Sequence, residues 1–144
     1  MDQMRMAGSL VRRFKTHDPF RIAKSLGIEI VFLPLHGIRG FYQTMKRCKF
    51  IYIDSRLEEQ EARFVCAHEL GHAMLHRGYN RVFMDTNTYF KVDRYEIEAD
   101  RFAVDLLFDD DELRDFLEHP IQVAADCMGV SVELAEYRMR QLLH

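Results

Sequence analysis

The segment best equipped for chemistry is His68-Glu69-Leu70-Gly71-His72. Residues four apart on an α-helix sit one turn apart and differ by about 40° in azimuth, so both imidazoles face one point. Two neutral ring nitrogens can fix a zinc ion at about 2.0–2.1 Å each. Glu69 lies between them in sequence and projects to the side, where it can reach a metal-activated water without ligating the ion. This HExxH spacing is the pattern of zinc metalloproteases, with the glutamate as general base. The competing reading is a chance pattern on an ordinary exposed helix. The surroundings weigh against it. Between Phe64 and Leu75 the helix is otherwise apolar nearly all round, which marks it as buried. Three ionisable groups buried there with nothing to bind would cost several kcal/mol.

Catalytic zinc keeps three protein ligands and one open position. His76 continues the His68, His72 spacing but lies about 12 Å along the helix axis from His68, too far to share one ion with it. It is expected to hold a ligand, face substrate or end the helix. The next helix offers Tyr95-Glu96-Ile97-Glu98-Ala99-Asp100. Glu96 and Asp100 share a face, whereas Glu98 points about 200° away from Glu96. Glu96 is therefore the favoured third ligand. Asp100, one turn on, can accept the other ring N–H of a ligating histidine, which fixes its tautomer. Two bland readings compete: Glu96 as a capping residue paired with Asp93, and Glu98 as a solvated surface charge.

Elements must position these groups. A helix is expected around Leu10–Phe14, and another from Pro19, capped by Asp18 and ending before Gly27. Ile28–Leu33, Phe41–Met45 and Phe50–Asp54 read as strands of a small, mostly antiparallel sheet, the last two joined by a basic turn. Ser55 and Glu58 have capping-box spacing, so the metal helix is expected to start there and to stop at Gly78. Tyr79–Val92 reads as loop or irregular strand, and Asp93–Leu107 as the second site helix. Asp109–Glu112 opens a further helix with charges suited to its dipole, Pro120 opens another, and Ser131 caps a last one after Gly129. The expectation is an α+β fold in a single domain of residues 1–144, with a catalytic core over 1–110 and a C-terminal helical extension over 111–144.

Composition narrows the class. The chain is 48% hydrophobic and 30% charged, which suits a packed domain. A net charge of -3 does not favour nucleic acid or anionic membrane. Its 3 cysteines include no CxxC, so neither a disulfide framework nor a cysteine-only zinc site is indicated. A cytoplasmic protein is expected.

Two blocks, His68-Glu69-Leu70-Gly71-His72-Ala73-Met74-Leu75-His76 and Glu96-Ile97-Glu98-Ala99-Asp100-Arg101-Phe102-Ala103, resemble the ImmA/IrrE family of metallo-endopeptidases. The order of elements agrees over most of the chain, and the second block is the more family-specific. The resemblance implies a zincin-like, gluzincin-type fold, one Zn(2+) per chain and a bacterial, phage or mobile-element setting. It also implies a protein substrate, often a helix-turn-helix repressor encoded nearby. By the same resemblance Glu96 is the third ligand, and Asp100 stands where the family often has Asn. Phe108-Asp109-Asp110 departs from the family, many members of which have Met-Pro after the double leucine.

The expected mechanism is attack of a metal-activated water on a peptide carbonyl, with Glu69 taking and returning the proton. A further donor should stabilise the oxyanion. His76, Tyr79, Tyr89 and Tyr95 are the candidates, against the plainer reading of each tyrosine as buried with a satisfied hydroxyl. A rival function comes from Ile121–Leu143, which reads as two short helices joined by a tight turn. That suggests a metal-binding transcriptional regulator; the family resemblance adds a further alternative, an anti-repressor that binds a repressor without proteolysis. Glu133 and Glu136 near the start of the second helix would face phosphates badly, so packing on the core or substrate docking is favoured over DNA binding.

Overall fold

The computed structural model of the protein describes residues 2–77 and 89–143. Helix α1 spans Asp2–Phe14 and α2 spans Pro19–Ser25. Asp18 caps α2 through a bond from the Phe20 N–H to its carboxylate, and the chain leaves α2 through Gly27 at φ +77°. Three strands follow: β1 (Ile28–Leu33), β2 (Gly40–Met45) and β3 (Cys48–Asp54). Then come α3 (Glu59–Leu75), α4 (Tyr89–Leu107), α5 (Asp110–Arg114), α6 (Ile121–Met128), α7 (Val132–Arg140) and a closing 3-10 turn. The α+β class stands, with helices dominating a three-stranded sheet.

The sheet is mixed rather than mostly antiparallel. Its order is β1-β3-β2, with β3 antiparallel to β2 through a two-residue turn and parallel to β1. The hairpin is as expected. Lys46 and Arg47 carry it with φ of 49° and 74°. The parallel pair arises because β2 folds back on the far side of β3, leaving β3 central. Its centrality shows in burial: Ile51 and Ile53 are fully covered.

Helix α3 starts later than Ser55. Asp54, not Ser55, organises the entry: its carboxylate accepts the Arg56 N–H and the Leu35 N–H, tying the chain into a turn before Glu59. The helix ends at Leu75, with the His76 N–H on the His72 carbonyl at 2.9 Å, short of the expected stop. Gly78 and Tyr79 lie outside the described residues. Tyr89–Val92, expected as loop, belong to α4 instead, so Asp93 is interior to the helix and no capping box with Glu96 exists.

Ala62, Val65, Cys66, Ala67 and Leu70 of α3 join Ile51, Ile53, Ala7, Leu10 and Ile22 in one core cluster. Phe102, Ala103 and Leu106 of α4 complete it. Val104 of the same helix faces a second cluster, built with Leu113, Ala124, Ala125, Met128, Ala135 and Met139. The joint is polar as well. Buried Arg138 donates to the Val104 and Phe108 carbonyls at 3.2 and 2.7 Å and to Asp110 at 2.6 Å. Those carbonyls close α4, where a cation also suits the helix dipole. Arg138 of α7 is thus spent inside the protein rather than offered to a partner's phosphates. Among the described residues no helix is long and apolar enough to cross a membrane.

Candidate metal centre

Helices α3 and α4 cross at Gly71, and this contact brings the two sequence motifs together. A Cβ at position 71 would stand 2.9 Å from Phe102 Cδ1 and 3.3 Å from the Ala99 Cα, so glycine is what permits the approach. Glu96 and Asp100 flank that contact line on one side. Glu96 Oε1 lies 3.0 Å from His68 Nε2, and Glu96 Oε2 lies 2.8 Å from His72 Nε2. The two imidazoles meet edge to face, with centroids 4.8 Å apart. Asp100 Oδ1 sits 2.8 Å from the other nitrogen of His68, Nδ1. One carboxylate thus bridges two imidazoles, and a second holds one of them from behind.

Electrostatics mark the spot as one that demands positive charge. Burial opposes a charged His68, but hydrogen bonds to Asp100 and Glu96 outweigh it and raise the pKa from 6.5 to about 9. Burial likewise pushes Glu96 up, yet bonds to His68 and His72 hold it far below the usual carboxylate range. A divalent cation in this position would replace protons that the carboxylate now attracts. The donor set fits one. His68, His72 and Glu96 each offer an atom within 4.8 Å of the others, from two imidazoles and one carboxylate, a set that zinc takes in catalytic sites. Donors on a tetrahedral ion with bonds of about 2.0–2.1 Å lie roughly 3.3–3.4 Å apart, and the two carboxylate–imidazole contacts, at 3.0 and 2.8 Å, are somewhat shorter.

The site opens into a cavity of about 520 Å³ whose lining includes Ile38, Arg39, Gly40, His68, Glu69 and Glu96. Glu69 forms part of its floor, 3% exposed, with Oε2 4.0 Å from His68 Nε2. A Cβ on Gly40 would fall 2.5 Å from Val65 Cγ1, so β2 begins pressed against α3 one turn before Glu69. Asp54 and Arg56 shape the rim. The Arg56 guanidinium bonds both Asp54 and the Leu35 carbonyl and holds the Asp54 carboxyl below its usual range.

Of the remaining candidates, His76 and Tyr95 do not line the cavity. His76 is buried and turned toward His72, with Nδ1 2.9 Å from His72 Nδ1. Tyr95 stacks on the His76 ring at 4.1 Å between centroids. Tyr79 and the side chain of Tyr89 lie outside the described residues. Glu98 is no solvated charge: its Oε1 is 2.8 Å from His76 Nε2, and Arg94 donates to its Oε2. With Tyr95 it occupies the other flank of the α3 contact line. The signal was available in the Tyr95, Glu98 spacing of three, which puts both on one face.

The sequence model of the IrrE N-terminal-like domain, Peptidase_M78, matches residues 23–140. The chain belongs to this metallopeptidase family. Among its relatives is an "Uncharacterized immunity region protein 2" of Bacillus phage phi105, 42% identical over 132 residues, covering 90% of this chain and 84% of the relative. Another is "Metallopeptidase ImmA" of Bacillus subtilis (strain 168), 29% identical over 141 residues, covering 93% and 82%. One of these relatives is thus encoded by a bacteriophage.

Proposed function

We infer that the protein is a zinc-dependent endopeptidase of protein substrates. In this reading His68, His72 and Glu96 hold one Zn(2+), Asp100 steadies His68, and Glu69 is the general base. The observation that carries it is the convergence of three ligand atoms from two helices beside a carboxylate on the cavity floor. When bound, zinc supplies Lewis acidity and lowers the pKa of a water towards about 7. In this reading Glu69 takes the proton of the attacking water and returns it to the leaving amine. Its burial excludes bulk water, which strengthens every charge interaction around it. Strand β2, which lines the cavity through Gly40, offers an extended peptide a backbone to run beside.

A helix-turn-helix repressor is the proposed substrate, supported by the immunity-region name of the phage relative. The test uses the purified protein and a repressor encoded beside its gene. Wild type should bind one zinc per chain and cleave the repressor, and a chelator should stop cleavage. Glu69→Gln should keep zinc and repressor binding, since it is neither ligand nor docking residue. Its cleavage should fall about 10²–10⁴-fold. Cleavage at the wild-type rate would remove Glu69 as the base. Regulation of the repressor without any cleavage would leave a metal-bound anti-repressor instead.

A further inference from the structure

His68 and His72 are held from behind in different ways. Asp100 meets His68 Nδ1 directly, at 2.8 Å. Behind His72 there stands another histidine, and behind that a carboxylate: His72 Nδ1 to His76 Nδ1 is 2.9 Å, and His76 Nε2 to Glu98 Oε1 is 2.8 Å. We propose that His76 and Glu98 are positioning residues, a two-step relay that dictates which nitrogen of His72 faces the metal position. The proposal rests on the metal site inferred above.

The direction of the relay follows from counting donors. An ionised carboxylate only accepts, so Glu98 requires the proton of His76 on Nε2. His76 Nδ1 then carries a lone pair and accepts from His72 Nδ1–H. With a cation in place, that leaves the lone pair of His72 on Nε2, the atom that without one lies 2.8 Å from Glu96 Oε2. The opposite arrangement fails at both ends. It would put a proton on His72 Nε2, where a cation must bind, and would set a His76 lone pair against Glu98. Arg94 donates to the other oxygen of Glu98, which holds the carboxylate in place. Tyr95 stacked on His76 fixes the ring plane at 22° to its own.

The plainer role for His76 is to end α3, and its backbone N–H bond to His72 does so. That bond does not depend on the imidazole, so the two roles separate. Glu98 is the cleaner probe, because its side chain is 28% exposed and it makes no contribution to the core clusters. In a zinc competition titration with a chelator, Glu98→Ala and His76→Leu should each weaken binding by about 10–100-fold, the usual effect of losing a partner behind a ligand. The double variant should be little weaker than either single one, because the pair acts as a unit. His76→Gln, which keeps a carbonyl acceptor for His72, should recover part of the loss. In the zinc-loaded wild type, nitrogen-15 spectra should show a slowly exchanging His72 Nδ1 proton. In Glu98→Ala that proton should exchange faster, while the melting temperature of the metal-free protein stays close to wild type. Wild-type zinc affinity and an unchanged His72 Nδ1 proton in Glu98→Ala would overturn the relay and leave the metal site standing. Failure of the wild type to bind zinc would overturn both.

Discussion

Replacing Gly71 with alanine sets two effects of opposite sign against each other. In a helix interior alanine is favoured over glycine by about 0.8–1 kcal/mol. At this position the added methyl would sit 2.9 Å from Phe102 Cδ1, 3.2 Å from Phe102 Cγ and 3.3 Å from the Ala99 Cα. Carbon atoms pack best at about 3.5–4.0 Å, so the closest contact is short by roughly 0.6–1 Å. Phe102 is fully buried and has no open space to swing into, and the Ala99 atom is backbone. Relief therefore requires α4 to move off α3. Overpacking of this kind costs about 1–3 kcal/mol, and the tight surroundings place it in the upper half of that range. After subtracting the helix-propensity gain, Gly71→Ala should destabilise the metal-free protein by about 1–2 kcal/mol, or roughly 3–8 °C. The sharper consequence is at Glu96, one turn before Ala99 on the displaced helix. Metal sites tolerate about 0.2 Å of distance error, so zinc affinity should fall by at least about tenfold. Thermal melts of metal-free protein and a chelator competition measure the two effects separately. A variant more stable than wild type, with unchanged zinc affinity, would refute the argument that Gly71 sets the helix spacing.

Further outcomes are expected. In metal-free protein the raised His68 pKa stabilises the fold fully below pH about 6.5 and ceases to do so as pH rises through about 9. At about 1.4 kcal/mol per pH unit, the 6.5-to-9 difference amounts to about 3–4 kcal/mol. Asp100→Asn should lose part of that dependence, and zinc binding at pH 7.5 should release a proton, read by calorimetry in buffers of different ionisation enthalpy. Absence of proton release would contradict the assignment. Arg138→Met should cost about 2–3 kcal/mol in denaturant unfolding, since two carbonyls at the end of α4 lose a charged donor. A loss under about 0.5 kcal/mol would mean that water replaces the guanidinium. Gly40→Ala would set a methyl 2.7 Å from the Tyr52 carbonyl and 2.5 Å from Val65 Cγ1, so β2 must lift from α3. Peptide cleavage should fall much more than zinc affinity. Equal losses in both would show that β2 supports the metal rather than the substrate.

Much of the site could be read from local spacing, because helical periodicity fixes which side chains share a face. His68 with His72, and Glu96 with Asp100, needed no knowledge of the fold. Glu98 was misplaced for a definable reason. Periodicity puts it on the far side of α4 from Glu96, and the far side was equated with solvent. His76, just past the end of α3, instead reaches that flank. The start of α3 was misread because Ser55 offers a cap locally, while Asp54 outcompetes it through Arg56 and Leu35, the latter 19 positions away in sequence. The parallel pairing of β1 with β3 was illegible for a similar reason: strand order depends on which side of β3 the hairpin folds, and no local pattern records that. The order of Pro19, Gly27 and the three strands was legible because turn and branched residues act where they stand.

Helix α4 is a wall shared by two rooms. Phe102, Ala103 and Leu106 belong to the cluster that surrounds α3, while Val104 belongs to the one that seats α6 and α7. Arg138 bolts the second cluster to the last carbonyls of the same helix. Glu96 therefore takes its position from both sides at once. The C-terminal helices make no contact with the histidine pair through Arg138, yet they set the rest position of the rod that carries the carboxylate. Sequence change in α6 and α7 is accordingly a means of adjusting the proposed metal position without touching a residue that lines it.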